Sequence, residues 1–288
     1  AAIGQLDEAR LLACRDTTGD VGAGLHVEDQ MVRQNLEDCL TAACKRLPEA
    51  LRVLAEVVQV QDRVLAQGLE ALRYEAYALE KAMAMTMGPS QVFARVALYV
   101  VVTSDLPSEA LSLTARCVAG GVDCLQLRCK HLPDRARLAL AREFVGLCRD
   151  GGVLSILNDR VDLAVACEAD GVHLGLEDLP VATARSLAHK PLILGATTHD
   201  PDELARARQE NPTYVSLGPV FATATKPDLA AVGLGYVRQA VDWLAGTGIG
   251  HAAIGGITME NVDQVIQAGA RTIAVCSAVT AAPDPTAA

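Results

Sequence analysis

Up to about residue 90 the apolar positions of this chain recur every three or four residues, and beyond it they gather into short runs separated by longer amphipathic stretches. In the first region Leu40, Cys44, Leu47, Leu51, Leu54 and Val58 form one stripe, and Leu65, Leu69, Leu72, Ala76, Leu79 and Met83 form a second. That is the spacing of helices with one apolar face. The stretch 59–63 between them is too short for anything but a turn. The pattern therefore predicts an antiparallel helical hairpin over about 37–86, its stripes packed within the chain or against a second copy. Gly88 and Pro89 mark 84–92 as a linker. Upstream, the Gly- and Thr-rich stretch 16–24 reads as a loop and lacks the Gly-Lys-Ser/Thr ending of a phosphate cradle.

In the second region the runs ALYVVVT, CLQLR, LSILN, GVHL, ILGA, YVSLG, HAAIG and TIAVC have the β-branched, apolar character of buried strands. Between them, 108–119, 134–150, 202–209 and 236–245 carry the helical period, and Gly or Pro punctuates many of the joins. Strands alternating with helices predict an α/β fold, a (β/α)8 TIM barrel over 93–288, preceded by a helical extension over 1–90.

Composition narrows the function classes. Hydrophobic residues make up 51% of the 288 but aromatics only 3%, so the core is built from Ala, Val, Leu and Ile. A net charge of -10 with no basic stripe argues against nucleic acid as partner. No apolar run reaches the roughly 18 residues of a membrane span, and the first residues have no signal-peptide pattern. The nine cysteines are scattered, odd in number and free of any C-x-x-C pair, as expected of free thiols in a reducing cytoplasm. Cys129, between Arg128 and Lys130, is the one candidate for a lowered pKa. The expected partner is a small molecule, with homo-oligomerisation open.

In a barrel of this kind the chemistry sits at the C-terminal ends of the strands. There the chain places Gln126, Arg128 and Lys130 after the second run, Asn158, Asp159 and Arg160 after the third, and His173, Glu177 and Asp178 around the fourth. Thr197, Thr198 and His199 follow the fifth, Thr223, Thr225 and Lys226 the sixth, Gly255 and Gly256 the seventh, and Ser277 the eighth. Alternation puts Gln126 and Arg128 on one strand face, which is costly inside a barrel unless something polar meets them. Taken alone, Arg128 could be half of a salt bridge, Asp178 a helix N-cap and Gly255-Gly256 a turn. Taken together, two acids beside three cations have the character of a Mg²⁺ site that holds a polyphosphate. AIGGIT and VCSAV offer a second anion site through backbone N–H groups, where barrels commonly bind phosphate.

The ordered set QLRCK, LND, VHLGLED, GPVFATATK with the later Gly233, AIGGIT and VCSAV resembles the thiamine phosphate synthase family over about 95–281. The resemblance implies the joining of hydroxymethylpyrimidine diphosphate to hydroxyethylthiazole phosphate, with Mg²⁺, to give thiamine phosphate and pyrophosphate. It implies that Gln126 faces the pyrimidine, that Arg128, Lys130, Asn158, Thr197 and Lys226 hold the diphosphate, and that Asp159 and Asp178 take the metal. Arg128, Lys130 and Lys226 would carry the catalytic charge stabilisation. Thr223, Thr225, the backbone at Gly256 and the turn at Ser277 and Ala278 would hold the thiazole phosphate. Two positions depart from the family: Cys129 stands for a usual glutamate and Leu176 for a usual glutamine. A glutamine at 176 would have to enter an apolar environment, so Leu176→Gln is expected to be neutral or harmful. Two alternatives are a thiazole tautomerase of similar fold, with His199 at its characteristic place, and a phosphate-binding regulatory protein without catalysis.

Overall fold

A computed structural model describes residues 36–223 and 229–288, so the 16–24 loop lies outside the described residues. The chain divides into two compact units, Ala1–Ala84 and Met85–Ala288.

In the first unit α1 (Leu36–Val58) and the first turns of α2 (Arg63–Phe93) form the hairpin. Asp62 begins α2 by accepting the N–H groups of Val64 and Leu65 at 2.9 and 3.0 Å, the N-cap use of a short acidic side chain. An ion pair from Lys45 Nζ to Glu80 at 2.6 Å and a Cys44–Met83 sulfur contact at 3.9 Å join the two helices. Ala55, Leu65, Ala66, Leu69 and Ala76 are buried, whereas Leu47, Leu54, Leu72 and Leu79 are 38–56% exposed. The two stripes are thus only partly buried.

The linker expected over 84–92 is helix instead: α2 runs through Gly88 and Pro89 to Phe93. Met85, Pro89 and Phe93 recur every four residues, and within the second unit Phe93 is 1% exposed while Met85 packs on the main core. Burial of that face outweighs the poor helix propensity of Gly and Pro.

The second unit is a closed barrel of eight parallel strands in sequence order. The order is β1 (Leu98–Thr103), α3 (Pro107–Ala119), β2 (Cys124–Arg128), α4 (Asp134–Asp150), β3 (Leu154–Asn158), α5 (Val161–Ala166), β4 (Gly171–Leu174), α6 (Val181–Leu187), β5 (Ile193–Thr198), α7 (Pro201–Glu210), β6 (Tyr214–Leu217), α8 (Gly233–Leu244), β7 (Gly250–Ile254), α9 (Val262–Gln267), β8 (Thr272–Val275) and α10 (Ser277–Thr280). Alternation along each strand splits the apolar residues into two cores. Val100, Leu125, Leu157, Val172, Leu194 and Val215 face outward to the helices. Tyr99, Cys124, Ile156, Ile193, Tyr214, Ala252 and Ala274 fill the barrel interior together with Phe93. The inner core closes the N-terminal end, leaving the C-terminal end open for polar side chains.

Candidate active site

The strand ends enclose a cavity of about 360 Å³ whose lining includes Gln126, Arg128, Lys130, Asn158, Asp159, Asp178, Thr197, Thr223, Gly256, Ser277 and Ala278. Eleven of the expected site residues therefore meet in one mouth, and the other two, Thr225 and Lys226, lie outside the described residues. Two residues of the same strand-end set turn away from it. Arg160 pairs with Asp134 and Asp162, and Thr198 is buried, bonding Ser216 O and Tyr236 Oη at 2.8 Å each. Their neighbours Asp159 and Thr197 line the cavity.

Arg128 is half-buried and makes no ion pair among the described residues. Among those residues the salt bridge that would neutralise it structurally is absent. Lys130 Nζ stands 3.5 Å from Asp159 Oδ2. Burial, and then the adjoining Asp178 carboxylate, push the Asp159 pKa above the usual carboxylate range, with Lys130 opposing. Asp159 holds a φ of 64° and donates its N–H to His173 O at 2.8 Å. Asp178 is not a helix N-cap: its Oδ2 accepts the Gly175 N–H at 2.6 Å, and α6 starts only after Pro180. Among the described residues no group of three or more His, Cys, Asp or Glu could surround a metal. Two hard carboxylates that repel each other, with room left for phosphate and water oxygens, fit the donor set of Mg²⁺.

The β7–β8 side is made differently. Gly255 and Gly256 have φ of 103° and 64°, a region that side chains disfavour. A Cβ on Gly255 would stand 2.5 Å from Pro219, and one on Gly256 would stand 2.5 Å from Ala222 O and 2.8 Å from Phe221 Cβ. The turn is held by Asn261 Nδ2 donating to Gly256 O and by the Thr258 N–H donating to Asn261 Oδ1, both at 2.9 Å. The result is a fixed main-chain surface beside Ser277 and Ala278.

Sequence reasoning missed the two tyrosines beneath the mouth. Gln126 Nε2 lies 2.6 Å from Tyr99 Oη, Tyr99 Oη 3.0 Å from Tyr214 Oη, Tyr214 Oη 3.0 Å from His173 Nδ1, and His173 Nε2 3.0 Å from Thr197 Oγ1. Phe93 stacks on the Tyr214 ring at 4.0 Å. Burial pushes both phenols well above their ordinary pKa, so both are neutral hydroxyls. The sequence held one signal for them: Tyr99 is in phase with Val101 and Thr103, and Tyr214 with Ser216, so both point inward.

Two other expectations are corrected. Cys129 is buried and its thiol is pushed up by desolvation, because its side chain faces the outer core rather than its cationic neighbours. Leu176 is 52% exposed at the cavity rim, so the apolar surroundings assumed around it are absent. His199, also at the rim, bonds Glu203 Oε2 through Nδ1 at 2.9 Å.

Residues 98–279 match the family model described as "Thiamine monophosphate synthase", and residues 1–82 match the one described as "ThiD2 family". The thiamine-phosphate synthase of Gloeobacter violaceus is 41% identical over 283 residues, covering 98% of this chain and 81% of that protein. That of Thermosynechococcus vestitus is 39% identical over 288 residues, with 98% and 80% covered. Among solved structures, the thiamine phosphate pyrophosphorylase of Pyrococcus furiosus superposes with a TM-score of 0.59 at 32% identity, covering 66% of this chain and 90% of that one. With both its barrel and nearly its full length matched in this way, the chain belongs to the thiamine monophosphate synthase family, as a transferase that forms thiamine phosphate.

Proposed function

We propose that hydroxymethylpyrimidine diphosphate binds on the β2–β5 side of the mouth and hydroxyethylthiazole phosphate on the β7–β8 side. The carrying observation is Arg128, a half-buried cation facing the cavity with no carboxylate partner among the described residues. Such a charge is tolerated where an anion completes it. In the reaction the bond from the pyrimidine methylene carbon to the diphosphate oxygen breaks, its electron pair leaving with pyrophosphate. The thiazole nitrogen supplies the pair for the new C–N bond. Arg128 and Lys130, with Lys226, stabilise the charge on the leaving group, and Asn158 and Thr197 orient it. Asp159 and Asp178 would hold Mg²⁺, which when bound offsets diphosphate charge. Gln126 faces the pyrimidine. Thr223, Thr225, the Gly256 main chain and the turn at Ser277 and Ala278 seat the thiazole phosphate.

All of these residues fall within 93–288, so catalysis is assigned to the barrel and 1–90 is an appendage to it. The free thiols are in keeping with a reducing, cytoplasmic setting, and a homo-oligomer is compatible with the exposed apolar residues of the hairpin. The test is synthesis of thiamine phosphate from the two purified substrates, with Mg²⁺ and in excess chelator. Product is expected only with the divalent ion. Full synthesis in chelator would remove the metal from the assignment, and no product under either condition would remove the substrate pair.

A further inference from the structure

The five groups Gln126, Tyr99, Tyr214, His173 and Thr197 form an unbroken hydrogen-bonded chain across the barrel interior, with bond lengths of 2.6–3.0 Å. Both ends line the cavity, one at the place proposed for the pyrimidine and the other at that for the diphosphate. The register explains how the chain closes. His173, Gly195 and Tyr214 occupy one row across β4, β5 and β6. A Cβ on Gly195 would overlap Tyr214 Cζ and come within 2.5 Å of both His173 Nδ1 and Tyr214 Oη. The missing side chain leaves the gap through which the two rings bond.

Each phenol has one proton to donate, and a neutral imidazole has one N–H and one acceptor nitrogen. The chain consequently has two concerted polarities. In the first, Gln126 donates from Nε2 to Tyr99, Tyr99 donates to Tyr214, and Tyr214 donates to His173 Nδ1. His173 then carries its proton on Nε2 and donates to Thr197 Oγ1, so the Thr197 hydroxyl proton is turned to the cavity. In the second, Thr197 donates to Nε2, Nδ1–H donates to Tyr214, and Gln126 accepts through Oε1. Passing from one to the other takes a half-turn of the amide, rotation of the hydroxyls and transfer of one proton between ring nitrogens through water, with no net change in charge. In the first state the cavity is offered an amide carbonyl at Gln126 and a hydroxyl donor at Thr197. In the second it is offered an amide N–H₂ and a hydroxyl acceptor.

We infer that this relay couples recognition of the two ends of the pyrimidine diphosphate, with Tyr99, Tyr214 and His173 as positioning residues. The inference rests on the substrate placement proposed above. The thiamine pyrimidine ring carries an exocyclic amino group, a donor that an amide carbonyl satisfies, and the diphosphate oxygens are acceptors that a hydroxyl satisfies. Both requirements select the first polarity together. A ligand with an acceptor in place of the amino group sets the relay the wrong way for its own diphosphate, so discrimination at one end is reinforced at the other.

The test is a double-mutant cycle on binding of pyrimidine diphosphate with Mg²⁺ and no thiazole substrate, using Gln126→Leu and Thr197→Val with Tyr214 present and again in Tyr214→Phe. With Tyr214 present, the combined loss of affinity is expected to fall at least about threefold short of the product of the single losses, and in Tyr214→Phe the losses should multiply. Losses that multiply in both backgrounds would overturn the relay while leaving the site intact. If neither single substitution weakens binding, the substrate placement falls and the relay with it. A measurement on the unsubstituted protein does not depend on the double-mutant cycle. The imidazole ¹⁵N resonances of His173, assigned by their loss in His173→Gln, should report the Nε2–H tautomer in the bound state. An Nδ1–H tautomer there would overturn the inference.

Discussion

Between β2 and β5 the mouth is furnished with side chains, among them Arg128, Lys130, Asn158, Asp159 and Thr197, while at β7 and β8 it is furnished with main chain, at Gly255, Gly256, Ser277 and Ala278. The first side carries opposed charges at close range, with Lys130 facing Asp159, two crowded acids, and Arg128 without an ion-pair partner among the described residues. The second carries a turn whose shape excludes a Cβ. On the placement proposed above, a diphosphate that must depart needs charge matched to the transition state, which the ionised groups of the first side would supply. A phosphate that stays on the product needs only to be held in place, and fixed backbone N–H groups do this without desolvating another charge.

The two sides should fail in different ways. Arg128→Ala should lower kcat by about 10² to 10³, the usual loss of one preorganised charge-stabilising donor, with little change in KM for the thiazole phosphate. Steady-state kinetics in both substrates would show it, and wild-type kcat would make Arg128 a bystander. Gly256→Ala should do the reverse. Its φ of 64° and the contact with Ala222 O force the turn to shift, raising KM for the thiazole phosphate roughly tenfold, about 1.4 kcal/mol. KM for the pyrimidine diphosphate should stay within about twofold, and an equal rise in both would mean that the two sides are not separate.

A smaller effect concerns stability. Burial and Asp178 raise the Asp159 pKa, so the native state binds this proton more tightly than the unfolded chain does. The stability this contributes is present in full below the ordinary carboxylate pKa and is lost as pH rises through the raised one. Asp159→Asn removes the ionisation, and asparagine accepts the left-handed backbone at this position. Without divalent ions the variant should gain about 1–4 °C in Tm at neutral pH and nothing in acid, and with Mg²⁺ it should lose synthesis. A Tm below wild type at neutral pH would show that the Lys130 pair outweighs the repulsion. The smallest effect is expected from Leu176→Gln. At a half-exposed rim position the amide costs little and meets no fixed partner, so kcat and Tm should stay within about twofold and 1 °C.

The same division decided what could be read from the sequence. The barrel was legible because eight β-branched runs recur with helical stretches between several of them, and β2, β3 and β4 occupy 124–128, 154–158 and 171–174 as their patterns imply. The charged side of the mouth was legible because Arg128, Asp159 and Asp178 are conspicuous at strand ends. The fit at Gly255 and Gly256 was not legible, since the clashes that forbid a Cβ come from Pro219, Phe221 and Ala222, far off in sequence. The linker failed because Gly88 and Pro89 are local signals, while the burial of Met85 and Phe93 that overrides them is tertiary. Arg160 failed because its partners Asp134 and Asp162 lie on the outer, helical side of the strand end. Tyr99 and Tyr214 went unread as polar groups because a tyrosine in a strand run counts as apolar until its hydroxyl finds a partner.

The aromatic floor also determines how this protein can be watched. The chain has one Trp, five Tyr and three Phe. Trp243 is 41% exposed on α8 and absent from the cavity lining, so its fluorescence is a poor witness to binding. Tyr99 and Tyr214 are the opposite: buried, held 6.0 Å apart at 70°, with Phe93 stacked on Tyr214 and edge-on to Tyr99. A pair of fixed transition dipoles in a chiral setting is what near-ultraviolet circular dichroism detects. The tyrosine bands should therefore register rearrangement beneath the cavity, in a protein with few other aromatic residues.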